Sequence, residues 1–450
     1  MTLLTTIAAF IVTLGILIVV HEYGHYWVAR RSGVKVLRFS IGFGRPLARW
    51  VRGADRTEWV VATMPLGGYV RMLDERDPDC APIAPADLPR SFNRQSVSKR
   101  IAIVLAGPAA NLLLAIAVYW VLNVIGVMEP QAILGQPAAA TAAADAGIAP
   151  GDRVVEVEGE PVRSWNELRW ILLQRAVGGK PISLAVERTD ASRRVLTLDP
   201  ASIASGELDG DVIGRLGVVP YSGPPRVGRV TEGGAAARAG LQAGDRIVAA
   251  EGHPLDSARA LIERVRGSAE RPLELTVERD GRAVRVNVTP ARVTDESGTS
   301  FGRMGAELSD RPPLVKVQYG PFESVGLAVE KTADTAVFSL KMLGKMVTGE
   351  ASWKNLSGPV TIADYAGQTA RIGLASFLSF LALVSISLAV LNLLPIPMLD
   401  GGHLLYYLIE ILKGSPPAEW IVEWGQRAGV ALLGLLTVLA LYNDLIRLLS

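Results

Sequence analysis

Two histidines and a glutamate stand together at the end of the first apolar run of this 450-residue chain. His21 and His25 are four residues apart, so on a helix they share one face and can bind one metal ion, with Glu22 beside them. In this HExxH pattern the imidazoles bind Zn²⁺, the ion lowers the pKa of a water molecule to roughly 7, and the glutamate takes its proton. The residue types and their spacing predict a zinc-dependent hydrolytic site.

The surroundings of the HExxH pentapeptide favour a metal site over a chance match. The chain has only four histidines, and two of them belong to the pentapeptide. The apolar run that carries it is long enough to cross a bilayer. Ionisable groups at membrane depth are costly and are usually functional.

A catalytic zinc needs a third protein ligand besides the two histidines. The residues that follow the pentapeptide offer none nearby, since the next acidic residue is Asp55 and the next histidine is His253. The third ligand must therefore come from a distant segment. We predict Asp400, in the stretch NLLPIPMLDGGH, with His403 as the substitute.

Composition indicates a membrane protein that carries soluble modules. Hydrophobic residues make up 49% of the chain, and the mean hydropathy is positive, at +0.29. The formal net charge of +2 is nearly balanced, so no nucleic-acid partner is expected. The single cysteine, Cys80, excludes an internal disulfide framework and a cysteine zinc cluster.

Four apolar stretches predict transmembrane helices. They are residues 1–29, which carry the HExxH motif, 101–128, 372–400, which end in an LDG motif, and 428–449. Residues 30–100 contain fourteen Lys or Arg against seven Asp or Glu, which predicts a cytoplasmic location for that segment. Residues 129–371 then lie outside, and His21 and Asp400 reach the same cytoplasmic depth of the bilayer.

The second apolar stretch contains Pro108 and Asn111, which need partners from neighbouring helices if they lie inside a membrane helix. We interpret Asn111 as a packing contact. The alternative is that it helps to hold the metal site.

The cytoplasmic segment contains two strand-like pieces, VKVLRFSIGFG and TEWVVATMPLGGYVRM, which predict a β-hairpin or β-loop within residues 30–100. Two interpretations stay open. The loop is either a structural hairpin or an exposed edge that adds a substrate strand beside the active site.

An internal repeat lies outside the membrane. AGIAPGDRVVEVEGEPV recurs as AGLQAGDRIVAAEGHPL at a spacing of 93 residues, with eight of sixteen positions identical from Gly147 and Gly240 onward. This predicts two domains, at residues 129–222 and 223–310, each similar to a bacterial PDZ domain, whose groove takes an extended chain or a carboxyl terminus by strand addition. Residues 311–371 predict an amphipathic helix at the membrane surface.

With HEYGH, GPAAN, the repeated AGxxxGDRxV element and NLLPIPMLDGG in this order, the chain resembles the site-2 protease family of intramembrane metalloproteases, in its double-PDZ bacterial form. The resemblance covers essentially the whole chain. It implies that His21, His25 and Asp400 bind zinc and that Glu22 is the catalytic glutamate. It also implies that Asn392, Pro395 and Pro397 shape substrate binding.

The same resemblance implies a location in the bacterial inner membrane, with the PDZ pair in the periplasm and the active site near the cytoplasmic side. Family members cut single-span membrane proteins that a first protease has already trimmed, typically an anti-sigma factor in an envelope stress response. The PDZ pair either excludes uncut substrates by size or binds the new carboxyl terminus of a trimmed one.

Together these patterns predict a polytopic α-helical membrane protein with four transmembrane helices, a cytoplasmic-side β-hairpin or β-loop and two extracytoplasmic PDZ domains. The leading hypothesis for its activity is an intramembrane zinc endopeptidase. One alternative is a membrane-tethered PDZ binding protein without proteolysis, although an anchor gains nothing from His, Glu, His and Asp at one depth. Another is an HExxH membrane enzyme of a different class, such as a prenyl-protein protease.

Overall fold

The computed structural model describes most of the chain. The described residues are 2–77, 83–176, 179–200, 212–294, 298–309, 312–353 and 358–449. Cys80 lies outside them. The helices, in chain order, are α1 (Thr2–Arg31), α2 (Val97–Ile125), α3 (Ala142–Asp145), α4 (Trp165–Ala176), α5 (Val212–Arg215), α6 (Ala235–Arg238), α7 (Ala258–Gly267), α8 (Pro321–Thr348), α9 (Pro359–Ile372), α10 (Leu374–Leu393), α11 (Asp400–Lys413) and α12 (Glu419–Leu449).

The strands fall into several separate sheets. In chain order they are β1 (Val36–Arg52), β2 (Thr57–Met72), β3 (Val127–Pro130), β4 (Arg153–Val157), β5 (Glu160–Pro161), β6 (Ile182–Glu187), β7 (Arg193–Leu198), β8 (Arg226–Val230), β9 (Arg246–Ala250), β10 (His253–Pro254), β11 (Leu273–Arg279), β12 (Arg282–Val288), β13 (Ala291–Thr294), β14 (Ser300–Arg303), β15 (Ala306–Ser309) and β16 (Leu314–Val317).

The chain divides into two compact units. The membrane unit comprises Met1–Val127 and Gln318–Ser450, and the repeat unit comprises Met128–Val317. Within the described residues, four helices are long and apolar enough to cross a membrane, and all belong to the membrane unit. They are Leu3–Arg31, Val97–Ile125, Leu374–Leu393 and Glu419–Ile446. The predicted number of apolar membrane helices is therefore confirmed.

The third apolar stretch, residues 372–400, was expected to be closed by Asp400, with Pro395 and Pro397 breaking its helix. The structure has this break, since α10 ends at Leu393 and α11 begins at Asp400. Pro395 and Pro397 explain the break, because proline lacks an N–H and drives the preceding residue into an extended conformation. Leu394 accordingly adopts φ −63° and ψ 145°. Asp400 thus lies at the start of a new helix.

The fourth apolar helix, by contrast, starts earlier than the predicted residue 428. It begins at Glu419, and its first turns carry an ion pair between Glu423 and Arg427, 2.7 Å apart at i, i+4 spacing. Such pairs support a helix before its apolar face begins.

The region expected to hold one amphipathic helix, residues 311–371, contains α8 and α9. Gly349 ends α8 in the left-handed conformation, with φ 80°. The first turn of α9 is capped by Asp444, a buried residue of α12 that accepts hydrogen bonds from the backbone N–H groups of Gly358 and Val360, both at 2.9 Å. A carboxylate at a helix N-terminus satisfies otherwise unpaired donors, and this one joins the fourth apolar helix to α9.

The predicted β-loop residues form β1 and β2, which pair antiparallel. The first part of β1 pairs with both ends of β2, so that Phe39 lies opposite both Trp59 and Val70. In the described part of the chain, the segment Gly68–Met72 pairs only with this first part of β1. It therefore forms an edge of the sheet.

The two repeat domains share one arrangement. In the first, strands pair in the order β5-β4-β6-β7 with α4 between β5 and β6, and in the second β10, β9, β11 and β12 pair in the same way around α7. Each encloses its own apolar core. In the second domain β8 and β15 extend the sheet, whereas the first has isolated bridges between Ile133 and Arg153 and between Leu134 and Pro220.

Candidate metal centre

The structure brings His21, His25 and Asp400 into one cluster. Their ligand atoms all lie within 4.8 Å of one another. His21 Nε2 is 3.2 Å from His25 Nε2 and 3.2 Å from Asp400 Oδ2, and His25 Nε2 is 3.5 Å from the same oxygen. Both histidines are buried. Residues 379 positions apart in sequence thus meet at one point.

The donor set and its spacing fit zinc. Two nitrogens and a carboxylate oxygen are ligands that zinc accepts, and ligands bonded tetrahedrally at about 2.0–2.1 Å lie about 3.3 Å from each other. The observed separations of 3.2–3.5 Å match that value. Asp400 Oδ2 is moreover buried and has no hydrogen-bond partner among the described residues. A buried acceptor left vacant between two imidazoles fits a site for a cation.

Two glycines allow α1 and α2 to cross at the cluster. A Cβ atom on Gly24, inside the HExxH motif, would lie 2.3 Å from the backbone oxygen of Ala106. A Cβ atom on Gly107 of α2 would lie 2.3 Å from His25 Nε2. Small residues let helix backbones approach closely in membranes. Here the close approach places the α2 backbone against the histidine rings.

Contacts from α2 orient both rings. His25 Nδ1 lies 2.8 Å from the carbonyl oxygen of Ile103, which can only accept, so Nδ1 carries the proton and Nε2 points its lone pair at the cluster. Asn111 lies 3.3 Å from His21 Nδ1 through its Nδ2, while its Oδ1 has no partner in the described part of the chain. Turning the amide over places the oxygen on His21 Nδ1–H and frees His21 Nε2 for metal.

An ion pair joins α11, the helix that carries Asp400, to α2. Glu410 of α11 makes two hydrogen bonds with Arg100, at 2.6 and 3.1 Å, and the Arg100 guanidinium lies 4.9 Å from the ring centroid of Tyr407. Both charged side chains are mostly buried, at 10% and 14% exposure. Bidentate pairs of this kind fix geometry as well as charge. The Arg100–Glu410 ion pair holds α11, and therefore Asp400, beside α2, the helix that orients the histidines.

Glu22 lies next to the edge of the β-loop. A Cβ atom on Gly68 would lie 2.9 Å from Glu22 Cγ and 2.8 Å from Ile18 Cγ2, so only a glycine lets β2 pass this close to α1. The edge segment Gly68–Met72, which is half-buried, therefore starts beside the predicted catalytic carboxyl group.

The remaining predicted residues lie on the chain that leads into α11. Asn392 is in the last turn of α10 and is half-buried, Pro395 is exposed, and Pro397 packs against α12, where a Cβ atom on Gly429 would lie 2.2 Å from its backbone oxygen. Among the described residues no hydrogen bond joins Asn392 to the metal cluster. His403, the substitute ligand, is not part of the cluster.

Some contributors to the site carry little signal in the sequence. Asn111 was interpreted mainly as a packing residue, and nothing singled out Gly107 or the pairing of Arg100 with Glu410. A glycine followed by proline and, three positions later, asparagine within an apolar helix was the available signal for α2. The Arg100–Glu410 pair spans 310 residues and has no local pattern.

Comparison with known proteins identifies the family of the chain. Residues 9–436 match the model of peptidase family M50. A Ralstonia nicotianae protein provisionally named a zinc metalloprotease is 46% identical over 98% of both chains. The regulator of sigma-E protease RseP from Salmonella typhimurium is 42% identical over the full length of both chains, and that from Escherichia coli K12 is 42% identical over 98% of both. The chain belongs to peptidase family M50, the site-2 proteases.

Proposed function

We propose that this zinc metalloendopeptidase hydrolyses a peptide bond within or beside the transmembrane helix of a membrane protein, at a centre formed by His21, His25 and Asp400. The observation that carries the proposal is the cluster of three ligand atoms, with a vacant buried oxygen, on the apolar helix that also bears Glu22. Zinc held there supplies Lewis acidity and lowers the pKa of a water molecule.

Glu22 moves the protons of the reaction. Its carboxylate accepts one proton as the water oxygen forms a bond to the scissile carbonyl carbon. The same carboxyl group then donates that proton to the leaving nitrogen as the C–N bond breaks. His21 and His25 stay in fixed tautomers throughout, because Asn111 and the Ile103 carbonyl hold their outer nitrogens.

A substrate helix must lose its internal hydrogen bonds before its backbone can be attacked. We assign this task to the edge segment Gly68–Met72, which can add an extended substrate strand, and to the chain around Asn392, Pro395 and Pro397 before α11. The proximity of Gly68 to Glu22 supports the first assignment. The irregular backbone between α10 and α11 supports the second, because such backbone at membrane depth lines a cavity or is buried.

We assign the side of the membrane from the distribution of charge. Residues 30–100 carry an excess of Lys and Arg, which supports a cytoplasmic location for β1 and β2 and for the metal centre, in a bacterial inner membrane. The repeat unit then lies in the periplasm, and its two domains act as a PDZ pair. Substrates of the proposed pathway are single-span proteins trimmed by an earlier protease, of the anti-sigma-factor kind.

The activity is tested with the purified full chain and a model single-span substrate in detergent. Cleavage should stop when a chelator removes zinc and return when zinc is added back. Equal cleavage before and after complete zinc removal would contradict the proposal. A protein that binds the substrate tightly but never cuts it, even when loaded with zinc, would instead favour a membrane-tethered binding protein.

The role of the repeat unit is tested by deleting residues 130–310. Size exclusion predicts that the deletion allows cleavage of an untrimmed substrate, whereas binding of a new carboxyl terminus predicts slower cleavage of a trimmed one. Both substrates are compared with the intact and the deleted enzyme. Equal slowing of both substrates contradicts size exclusion.

A further inference from the structure

An apolar groove runs along the outer face of α1 and α2. Its cavity volume is about 450 Å³, and its walls include Val20 and Trp27 of α1 and Ala109 and Leu113 of α2. Trp27 and Leu113 are 49% and 65% exposed. The groove lies on the surface that two candidate membrane helices present outward, and it is distinct from the metal cluster between them.

The groove continues into a cationic mouth at the end of α1. This second cavity, of about 440 Å³, shares Tyr23 and Trp27 with the groove and adds Arg30, Arg31 and Trp59. Apolar walls therefore give way to two guanidinium groups across two neighbouring cavities, which together are called the depression below.

Charge at the mouth is only partly compensated. Arg30 donates to the Tyr26 hydroxyl at 3.0 Å and lies 3.9 Å from Asp55, but Asp55 makes its shorter ion pair, at 2.7 Å, with Arg90. Arg31 has no ion pair within the described residues. Its guanidinium lies 4.9 Å from the ring centroid of Trp27, which holds the cation in place.

The dimensions match one leaflet of a bilayer. Val19 and Arg31 bound the two cavities along α1, and the rise between them is about 18 Å at 1.5 Å per residue. Half of the hydrocarbon core is roughly 15 Å thick. Trp27, about 12 Å along the helix from Val19, thus falls where aromatic residues mark the membrane interface, and the arginines fall at the headgroups.

We propose that this depression is a binding site for an anionic phospholipid, with one acyl chain in the apolar groove and the phosphate on Arg30 and Arg31. A bound anion would balance the charge of Arg31, which has no ion pair within the described residues. The planar guanidinium group can also form two parallel hydrogen bonds with a phosphate. Basic pockets between membrane helices are typical sites for anionic headgroups. The bound lipid braces the crossing of α1 and α2 that holds His21 and His25.

A second arginine supplies a matched control. Arg427 of α12 also lies over a tryptophan, 5.7 Å from the ring centroid of Trp424, near one end of a candidate membrane helix. Its charge, however, is compensated by Glu423 at 2.7 Å. Ala428 beside it is exposed, like Ala109 in the groove.

The test measures binding of phosphatidylglycerol and of phosphatidylcholine to the delipidated full chain, by native mass spectrometry in detergent. Arg31→Gln should weaken phosphatidylglycerol binding roughly five-fold and leave phosphatidylcholine unchanged. Ala109→Phe should weaken both by filling the groove. Arg427→Gln and Ala428→Phe should change neither.

Bound zinc, measured in each variant, identifies those that have kept their fold. If Arg31→Gln fails this check, Arg31→Lys serves in its place, and it should retain the preference for phosphatidylglycerol through its charge. Unchanged phosphatidylglycerol binding in Arg31→Gln would overturn the proposal, and so would an equal loss in Arg427→Gln. Ala109→Phe that slows substrate cleavage without affecting either lipid would assign the groove to a substrate helix instead.

Discussion

Two aspartates, Asp245 in the repeat unit and Asp400 in the membrane unit, differ in the hydrogen bonds that their buried carboxylate oxygens accept. Asp245 accepts two hydrogen bonds from Arg279, both at 2.7 Å, and one from the backbone N–H of Gln242 at 2.9 Å. The side chain of Asp400 is 17% exposed, but its Oδ2 atom is buried and has no hydrogen-bond partner within the described residues. A carboxylate that already accepts several hydrogen bonds within the protein has a structural role. A carboxylate oxygen that has no such partner and faces two imidazoles is available to bind a metal.

The two copies of the repeat show which sequence pattern provides the hydrogen bonds to these aspartates. Asp152 and Asp245 occupy equivalent positions, and each accepts a backbone N–H at 2.9 Å from the turn before it. The first copy is looser, because Arg188 Nε is 3.5 Å from Asp152 Oδ1 and has no hydrogen-bond partner among the described residues. The repeated AGxxxGDR pattern is therefore explained by a buried turn, without any catalytic role.

The largest effect should come from replacing Asp400, whose Oδ2 atom has no hydrogen-bond partner within the described residues. Asp400→Ala should remove bound zinc and abolish cleavage, because one of the three proposed protein ligands is lost. Zinc per protein is measured at equal abundance, with Asp245→Asn as the control that alters a satisfied buried aspartate. Full zinc occupancy in Asp400→Ala, with loss only in His403→Ala, would transfer the ligand role to His403.

Glu22→Gln should lower cleavage about 10²–10⁴-fold while zinc stays bound, since the proton acceptor is lost but the ligands are untouched. Rates are compared with those of Glu330→Gln, an exposed glutamate on α8. A Glu22→Gln enzyme that cleaves at the parental rate would show that another group accepts the proton.

Replacing Asn111 tests whether contacts around the ligands matter as much as the ligands. Asn111→Leu should weaken zinc affinity about 10–100-fold, because His21 Nδ1 loses its partner. Asn111→Asp should restore affinity by accepting the Nδ1 proton. Ser385→Ala, which removes only a hydrogen bond to the Asn111 backbone oxygen, is the control. Equal zinc affinity in all three variants would limit Asn111 to packing.

The smallest effect on zinc should come from the repeat unit. Asp245→Asn should destabilise the second repeat domain by about 1–3 kcal/mol, and Asp152→Asn should cost the first domain less. Hydrogen exchange in the full chain reads each domain separately, and zinc content should not change. Greater destabilisation by Asp152→Asn would contradict the comparison of the two copies.

The contact between Asp245 and Arg279 predicts that the stability of the second repeat domain depends on pH. Hydrogen bonding from Arg279 holds the pKa of Asp245 below its usual value, although burial acts in the opposite direction. The second domain is therefore stabilised above the unfolded-state pKa of about 3.9, and loses that stability as the pH falls through the folded-state pKa. Exchange protection of β9 and β11 should fall on acidification in the parent chain, and this dependence should be absent in Asp245→Asn.

The predictable features are those with a local period or a repeated pattern. His21 and His25 follow from helical spacing, and the domains of the repeat unit follow from the recurrence of one element. From the residues alone, without the family resemblance, Asp400 could be selected only by matching depths across the membrane. Pro395 and Pro397 indicate a helix break before Asp400. They do not fix the residue at which α11 begins, because the pattern also fits a longer α10 or an earlier start of α11.

The missed features depend on which helices become neighbours. Gly107 matters because α2 crosses α1 beside His25, and Asp444 matters because α12 meets the first turn of α9. No periodicity along either helix encodes these partners. They are set by tertiary packing, which brings together residues far apart in the chain.

The order in which the ribosome makes the ligands has a consequence of its own. His21, Glu22 and His25 are made early, whereas Asp400 follows 379 residues after His21. At roughly 5–20 residues per second this interval lasts roughly 20–75 s. Throughout that time the nascent chain carries a histidine pair without its proposed third ligand, so we expect it not to cut neighbouring proteins while its own helices are still entering the bilayer.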